Sequence, residues 1–276
     1  MKPNRMLNTF FSAAGSPLVL TRRLLCALPI AFALLPVSSH ADVLPTDFLP
    51  FEVEYDVGNN MISAGSATLK LAKDGDEWVY SLKTSPTGVF KLTGKGKIQE
   101  ISVFNVVESA DKLQLQPQRY TYRQDKEARR SVDAWFDWNA NKLTYKRRGE
   151  EKTEAFSDPV LDRLSVTLTV MDELRKNSFQ QAELKVFDNG TVKSMLFANE
   201  GIETVETRMG PLKTVRVKSS AAGGGTRHTI TWFAPELDYV PVKIEQYKRS
   251  KLVARLKLTR LSNRVTESGG ASAYKQ

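Results

Sequence analysis

Apolar and polar residues alternate along most of this chain. In FEVEYDV (51–57), Phe51, Val53, Tyr55 and Val57 fall on one face and acidic residues on the other. ATLKLAK repeats the pattern with Ala67, Leu69 and Leu71, and WVYSL repeats it with Trp78, Tyr80 and Leu82. A period of two marks strands that bury one face. The same reading covers QPQRYTYRQ, SVDAWFDW, AELKVFD, KTVRVKS, RHTITWF, VPVKIEQY and LVARLKLTRL. Between them lie short polar segments: KDGDE, WNANK, RRGEE, FDNGTV and KRSK. Their Asp-Gly and Asn-Gly steps accept the positive φ of tight hairpin turns. About twelve antiparallel strands joined by local hairpins are expected, without a βαβ rhythm.

One segment, SDPVLDRLSVTLTVMDELRKN (157–177), has a different period. Leu161, Leu164, Leu168, Met171 and Leu174 are spaced as a single helical stripe, widened by Val160, Val166 and Val170. Asp158 is placed to cap, Pro159 suits the first helical position, and Arg175 and Lys176 suit the last turn. Asp162, Arg163 and Ser165 fall early in this helix, where Asp162 favours the dipole. A helix of about 17 residues is roughly 25 Å long, enough to cover a curved sheet. The expected fold is therefore mainly β: a large antiparallel curled sheet or open half-barrel, with one long apolar-faced helix packed on its concave side.

The N-terminus changes the compartment. Arg22 and Arg23 precede the apolar run LLCALPIAFALLPV, and Ser39 and Ala41 follow as small residues before a cut. Residues 1–41 are expected to be a cleaved signal peptide, since the run is shorter than the roughly 20 residues that span a bilayer. Residues 42–261 then form a single β-rich domain, and the Gly/Ser-containing stretch 262–276 a disordered polar tail. Cys26 lies inside the apolar run and does not follow a small residue at its end, so lipidation is not expected. Cleavage removes the only cysteine and leaves His228 as the only histidine. It also removes four cations from the precursor's net +9, leaving 36 cations against 31 acids. A thiol-free exported chain fits the periplasm.

The segments YDVGNNMISAGSATLKL, YTYRQ with FDWNANKLTY, DPVLDRLSVTLTVMDELR, VETRMGPLKTVRV and TWFAPELDYVPVKIEQY follow one another along the chain. In them, over about Phe51 to Leu261, the chain resembles the DUF3108 family of exported bacterial proteins of unknown function. That family supplies no agreed catalytic residues. The architecture is also similar, more loosely, to periplasmic lipoprotein carriers of the LolA and LolB type, in which an open sheet curls around helices and holds acyl chains. Carriers of that type bring several lid helices; one is expected here.

Candidate chemistry is sparse. A lone His228 cannot assemble a catalytic triad without a placeable serine, and one imidazole cannot supply a zinc site. No catalytic residue, metal ligand or cofactor is therefore expected. Asp133 and Asp137 flank Trp135 on one strand face, which admits a carboxylate-only enzyme acting on a glycan as a third reading. Gly223–Gly225 lack the lysine and helix of a phosphate loop. Basic residues cluster at hairpin tips: Arg129, Arg130, Arg147, Arg148, Lys248 and Arg249. They are candidates for peripheral contact with an anionic membrane surface; nucleic acid is not an expected partner of an exported chain. The leading expectation is a non-enzymatic periplasmic envelope protein that binds a lipid or other amphiphile between sheet and helix, with Leu164, Leu168, Met171, Val89 and Phe90 as the lining. The alternative is a structural or adaptor protein with a filled core that binds another envelope protein.

Overall fold

The computed structural model describes residues 48–59, 62–88, 96–109, 112–177 and 179–262. The expected signal peptide, residues 263–276 of the expected tail, and Val89 and Phe90 lie outside the described residues.

Among the described residues fifteen strands form one sheet: β1 Phe51–Gly58, β2 Ser63–Asp74, β3 Glu77–Pro86, β4 Ile98–Ser109, β5 Lys112–Gln124, β6 Val132–Asp137, β7 Lys142–Arg147, β8 Glu150–Ala155, β9 Val160–Asp162, β10 Gln181–Phe187, β11 Val192–Thr207, β12 Gly210–Ala221, β13 Arg227–Ala234, β14 Val240–Lys248 and β15 Lys251–Ser262. The α-helix among the described residues, α1 Ser165–Arg175, follows β9. The spatial order runs from β8 down to β1, then from β15 down to β9. The first and last strands are thus zipped together, with Val53 opposite Leu261. The two edges, β8 and β9, are neighbours in sequence. All pairings are antiparallel except the short β9, which lies parallel to β10.

The sheet curls and stays open. Register shifts interrupt the β4–β5, β11–β12, β13–β14 and β14–β15 ladders, and such irregularities bend the strands that carry them. The curl brings the β9–β10 edge onto the inner face of β5–β7. There Val160 and Phe187 join Tyr120, Val132, Phe136 and Tyr145 in a small apolar cluster. The Phe187 ring stands edge-on to Tyr120 and Phe136 at 6.2 and 6.3 Å. The main core takes the inward residues of β1–β3 and β10–β15 together with the helix.

Two expectations are corrected. The strand count among the described residues is fifteen against about twelve. One of the extra strands, β8 (EEKTEA), is exposed throughout and shows no apolar alternation. The helix begins at Ser165, six residues later than expected. Asp158 and Pro159 do not start it, because Val160 and Leu161 are both buried within an edge strand whose backbone pairs with β10.

Seven of the eleven helical residues are buried: Ser165, Val166, Leu168, Val170, Met171, Asp172 and Leu174. These positions point to nearly every side of the helix. A helix buried all round belongs inside a protein rather than on its surface. Here α1 fills the space inside the curl.

Candidate functional site

One concentration of polar chemistry is a buried seam where β9 meets β4 and β5. Asp162 ends β9, and its carboxylate is wholly buried. Asp162 Oδ1 accepts the N–H groups of Leu164 (2.8 Å) and Ser165 (3.0 Å), so it caps α1 from outside the helix. Asp162 Oδ2 accepts the Ser102 hydroxyl of β4 at 2.5 Å. The Asp162 N–H in turn donates to the Ser165 hydroxyl at 2.9 Å. Burial pushes this carboxyl above the usual range, and the bonds from Ser102, Ser165 and Leu164 pull against that shift.

Arg163 extends the seam. Its guanidinium lies 3.4 Å from Glu100 and 3.7 Å from Asp188, and Glu100 holds it firmly charged. The Tyr120 hydroxyl donates to the other Glu100 oxygen at 3.1 Å, while burial and then the Glu100 charge drive the Tyr120 phenol upward. Glu100 and Ser102 are both buried polar residues on the inward face of β4. Ser102 is completely enclosed, so in this arrangement its hydroxyl is a strut between strands and meets no substrate.

A second tie holds the far end of the helix. The Arg175 guanidinium donates through Nε to Asp238 Oδ1 (2.8 Å) and through Nη2 to Asp238 Oδ2 (2.5 Å). Asp238 sits in the turn between β13 and β14 with φ at +54°. Arg175 also lies over the Phe48 ring at 5.2 Å. Helix start and helix end are thus pinned to opposite halves of the sheet.

The expected site residues separate into groups. Leu164, Leu168 and Met171 are buried side by side in the main core. Asp133 is bound to Arg123 at 2.6 Å, and Asp137 accepts the N–H groups of Asn139 and Ala140 in the following turn. Trp135 between them is 42 % exposed on the outer face. His228 stacks flat on Tyr247, with ring centroids 4.9 Å apart. Arg129 and Arg130, in a single 3-10 turn at Ala128–Arg130, come together with Arg148 of the β7–β8 turn around a surface cleft of about 720 Å³. Lys248 and Arg249 occupy the β14–β15 turn at the same end of the strands. Among the described residues no helix is long and apolar enough to cross a membrane.

A family model described as a protein of unknown function, DUF3108, matches residues 51–250. The chain belongs to the DUF3108 family. No curated protein matches this DUF3108 chain. Among solved structures it is similar to a β-barrel-like DUF1849 protein from Brucella abortus, at 12 % identity and a TM-score of 0.51, covering 78 % of this chain and 98 % of that one. That likeness is one of fold: a large, barrel-like β sheet. Two further structures are similar at 11 % identity and 78 % coverage of this chain. One, from Bacteroides fragilis, is described as exported and YmcC-like in fold (TM-score 0.34, 97 % of its chain); the other, from Parabacteroides distasonis, is described as a lipoprotein (0.29, 96 %).

Sequence reasoning missed Glu100, Ser102 and Asp238. One signal for the first two was present: polar residues at inward positions of a strand need partners, and IQEISVF places Glu100 and Ser102 there.

Proposed function

We propose that this DUF3108 protein is an exported, non-catalytic component of the cell envelope, an adaptor with a filled interior whose working surfaces are the rims of its sheet. The supporting observation is the helix. Leu168 and Met171 are 0 and 1 % exposed, and α1 is buried on nearly every side. The polar groups that bind its two ends, Asp162 and Arg175, are already engaged. A lipid seated between sheet and helix has to displace α1 and break both ties. Export is supported by the N-terminal basic-then-apolar pattern and the thiol-free remainder of the chain. A non-catalytic role is supported by the structural employment of Asp133, Asp137 and Asp162.

The amphiphile-carrier reading keeps one observation in its favour, the apolar stripe of Leu164, Leu168 and Met171 inside an open sheet. Native mass spectrometry of the protein purified from the envelope fraction separates the two. The adaptor reading expects the polypeptide mass alone, and no uptake from added membrane lipids. A stoichiometric lipid adduct overturns it in favour of the carrier.

A further inference from the structure

The connections at the two ends of the strands differ in charge. At one end lie the turns after β1, β3, β5, β7, β10, β12 and β14, and the step from β9 into α1. Taking each connection with its flanking residues, this rim carries eleven cations against five carboxylates among the described residues. The cations run from Lys97 and Lys126 through Arg129, Arg147 and Arg148 to Lys248, Arg249 and Lys251. Among the described residues the opposite rim carries seven carboxylates against five cations, with Asp74, Asp76 and Glu77 on one turn and Glu236 and Asp238 on another. The molecule is therefore polarised along its strands.

The basic rim is also concave where it is most basic. Beside the 720 Å³ cleft lies a second, of about 330 Å³, lined by Arg129, Ser131, Asp133, Lys146, Arg147 and Arg148. Within this wall Arg147 is unusual. Its stem passes against Gly190 of the β10–β11 turn, and its Nε–H is buried without a hydrogen-bond partner among the described groups. A buried guanidinium N–H without an acceptor is costly, and the Arg147 side chain lines the second cleft, where an anionic oxygen can pair with the guanidinium charge. The carboxylates of the rim are largely engaged: Glu127 pairs with Arg130, Asp188 with Arg163 and Lys193, and Asp162 is buried in the seam.

We infer that this rim docks on the phosphate-bearing face of an anionic lipid membrane, with the Arg129–Arg147–Arg148 clefts taking individual headgroup phosphates. The spread of cations over several turns suits a plane of phosphates better than one small anion, because each surface cation adds its own attraction. This rests on the envelope reading only in that an exported protein meets such a membrane. It does not need the interior to be filled.

Co-sedimentation with phosphatidylcholine vesicles, with and without phosphatidylglycerol, tests it on the full exported chain. Binding is expected only when phosphatidylglycerol is present, and it should weaken steeply as salt shortens the screening length. Arg129→Gln and Arg148→Gln, on exposed turns, should each weaken binding about fivefold with unchanged thermal midpoints, and the Arg129→Glu/Arg148→Glu pair should abolish it. Asp76→Asn on the acidic rim should leave binding unaltered. Equal binding to both vesicle types, or indifference to the arginine variants, overturns the inference. Calorimetric binding of inorganic phosphate without vesicle binding also overturns it, making the clefts a site for a soluble anion. A lipid inside the protein, seen as a mass adduct, counts against the adaptor reading and leaves the vesicle result standing on its own.

Discussion

Ser102 in β4 donates a 2.5 Å hydrogen bond to Asp162 at the end of β9, across 60 residues of sequence and from one half of the sheet to the edge of the other. The same carboxylate caps α1 through the Leu164 and Ser165 N–H groups. Asp162→Ala removes the cap, worth about 1 kcal/mol, and orphans the buried Ser102 hydroxyl at about 1–3 kcal/mol. Denaturant unfolding should show a loss of about 2–4 kcal/mol. Asp162→Asn keeps an acceptor for both N–H groups and offers its amide to Ser102, so it should stay within about 1 kcal/mol of wild type at neutral pH.

The same pair sets a pH dependence. Burial raises the folded Asp162 carboxyl above its ordinary value of 3.8, so the native state keeps its proton where the unfolded chain has released it. This contribution is fully present below the ordinary value and is lost as pH rises through the raised one. Stability of Asp162→Asn relative to wild type should therefore improve as pH climbs through that window. A difference that is flat with pH contradicts the assignment.

Two buried tyrosines should respond oppositely to loss of their hydroxyl. Tyr55 donates to the Pro241 carbonyl at 2.7 Å, whereas the Tyr80 hydroxyl is buried without a partner among the described groups. Tyr55→Phe should destabilise by about 1 kcal/mol, and Tyr80→Phe should stabilise by a similar amount. Thermal unfolding of the two variants measures the difference.

The fork between Arg175 and Asp238 pins the helix end to the β13–β14 turn. Arg175 is 9 % exposed but Asp238 is 42 % exposed, so solvent screening tempers the pair. A double-mutant cycle with Arg175→Ala and Asp238→Asn should give a coupling of about 1–2 kcal/mol, with Arg175→Lys failing to restore the two-pronged geometry.

Gly149 and Gly190 both adopt positive φ, at +83° and +80°, in tight hairpin turns. A Cβ on Gly149 meets nothing within 4 Å, while one on Gly190 comes 3.0 Å from the Arg147 side chain and 3.3 Å from the Tyr145 ring. Gly149→Ala should cost about 1 kcal/mol from backbone strain alone. Gly190→Ala should cost about 2 kcal/mol, the excess reporting how tightly Arg147 lies on that turn.

The sheet was legible because its buried faces alternate with period two over long strands such as Phe51–Gly58 and Ser63–Asp74. The helix was legible as a stripe, but its start was not. Val160 and Leu161 fit that stripe equally well as residues of a short strand buried on both faces, and only pairing with β10 decides between them. The polar seam could not be read locally, since the partnership of Ser102 with Asp162 depends on how far the sheet curls. The basic tips were visible as residues, yet their gathering on one rim depends on counting strands correctly. The missed β9 runs parallel to its neighbour and breaks the simple alternation of turn ends.

The filled interior is the claim on which the adaptor reading turns, and amide hydrogen exchange along α1 tests it most directly. The predicted result is slow exchange at Thr169–Leu174, governed by global unfolding and unchanged when anionic vesicles are added. Fast exchange in α1 on vesicle addition, with the β1–β15 ladder still protected, would contradict it: the helix would then be leaving the sheet to admit a lipid.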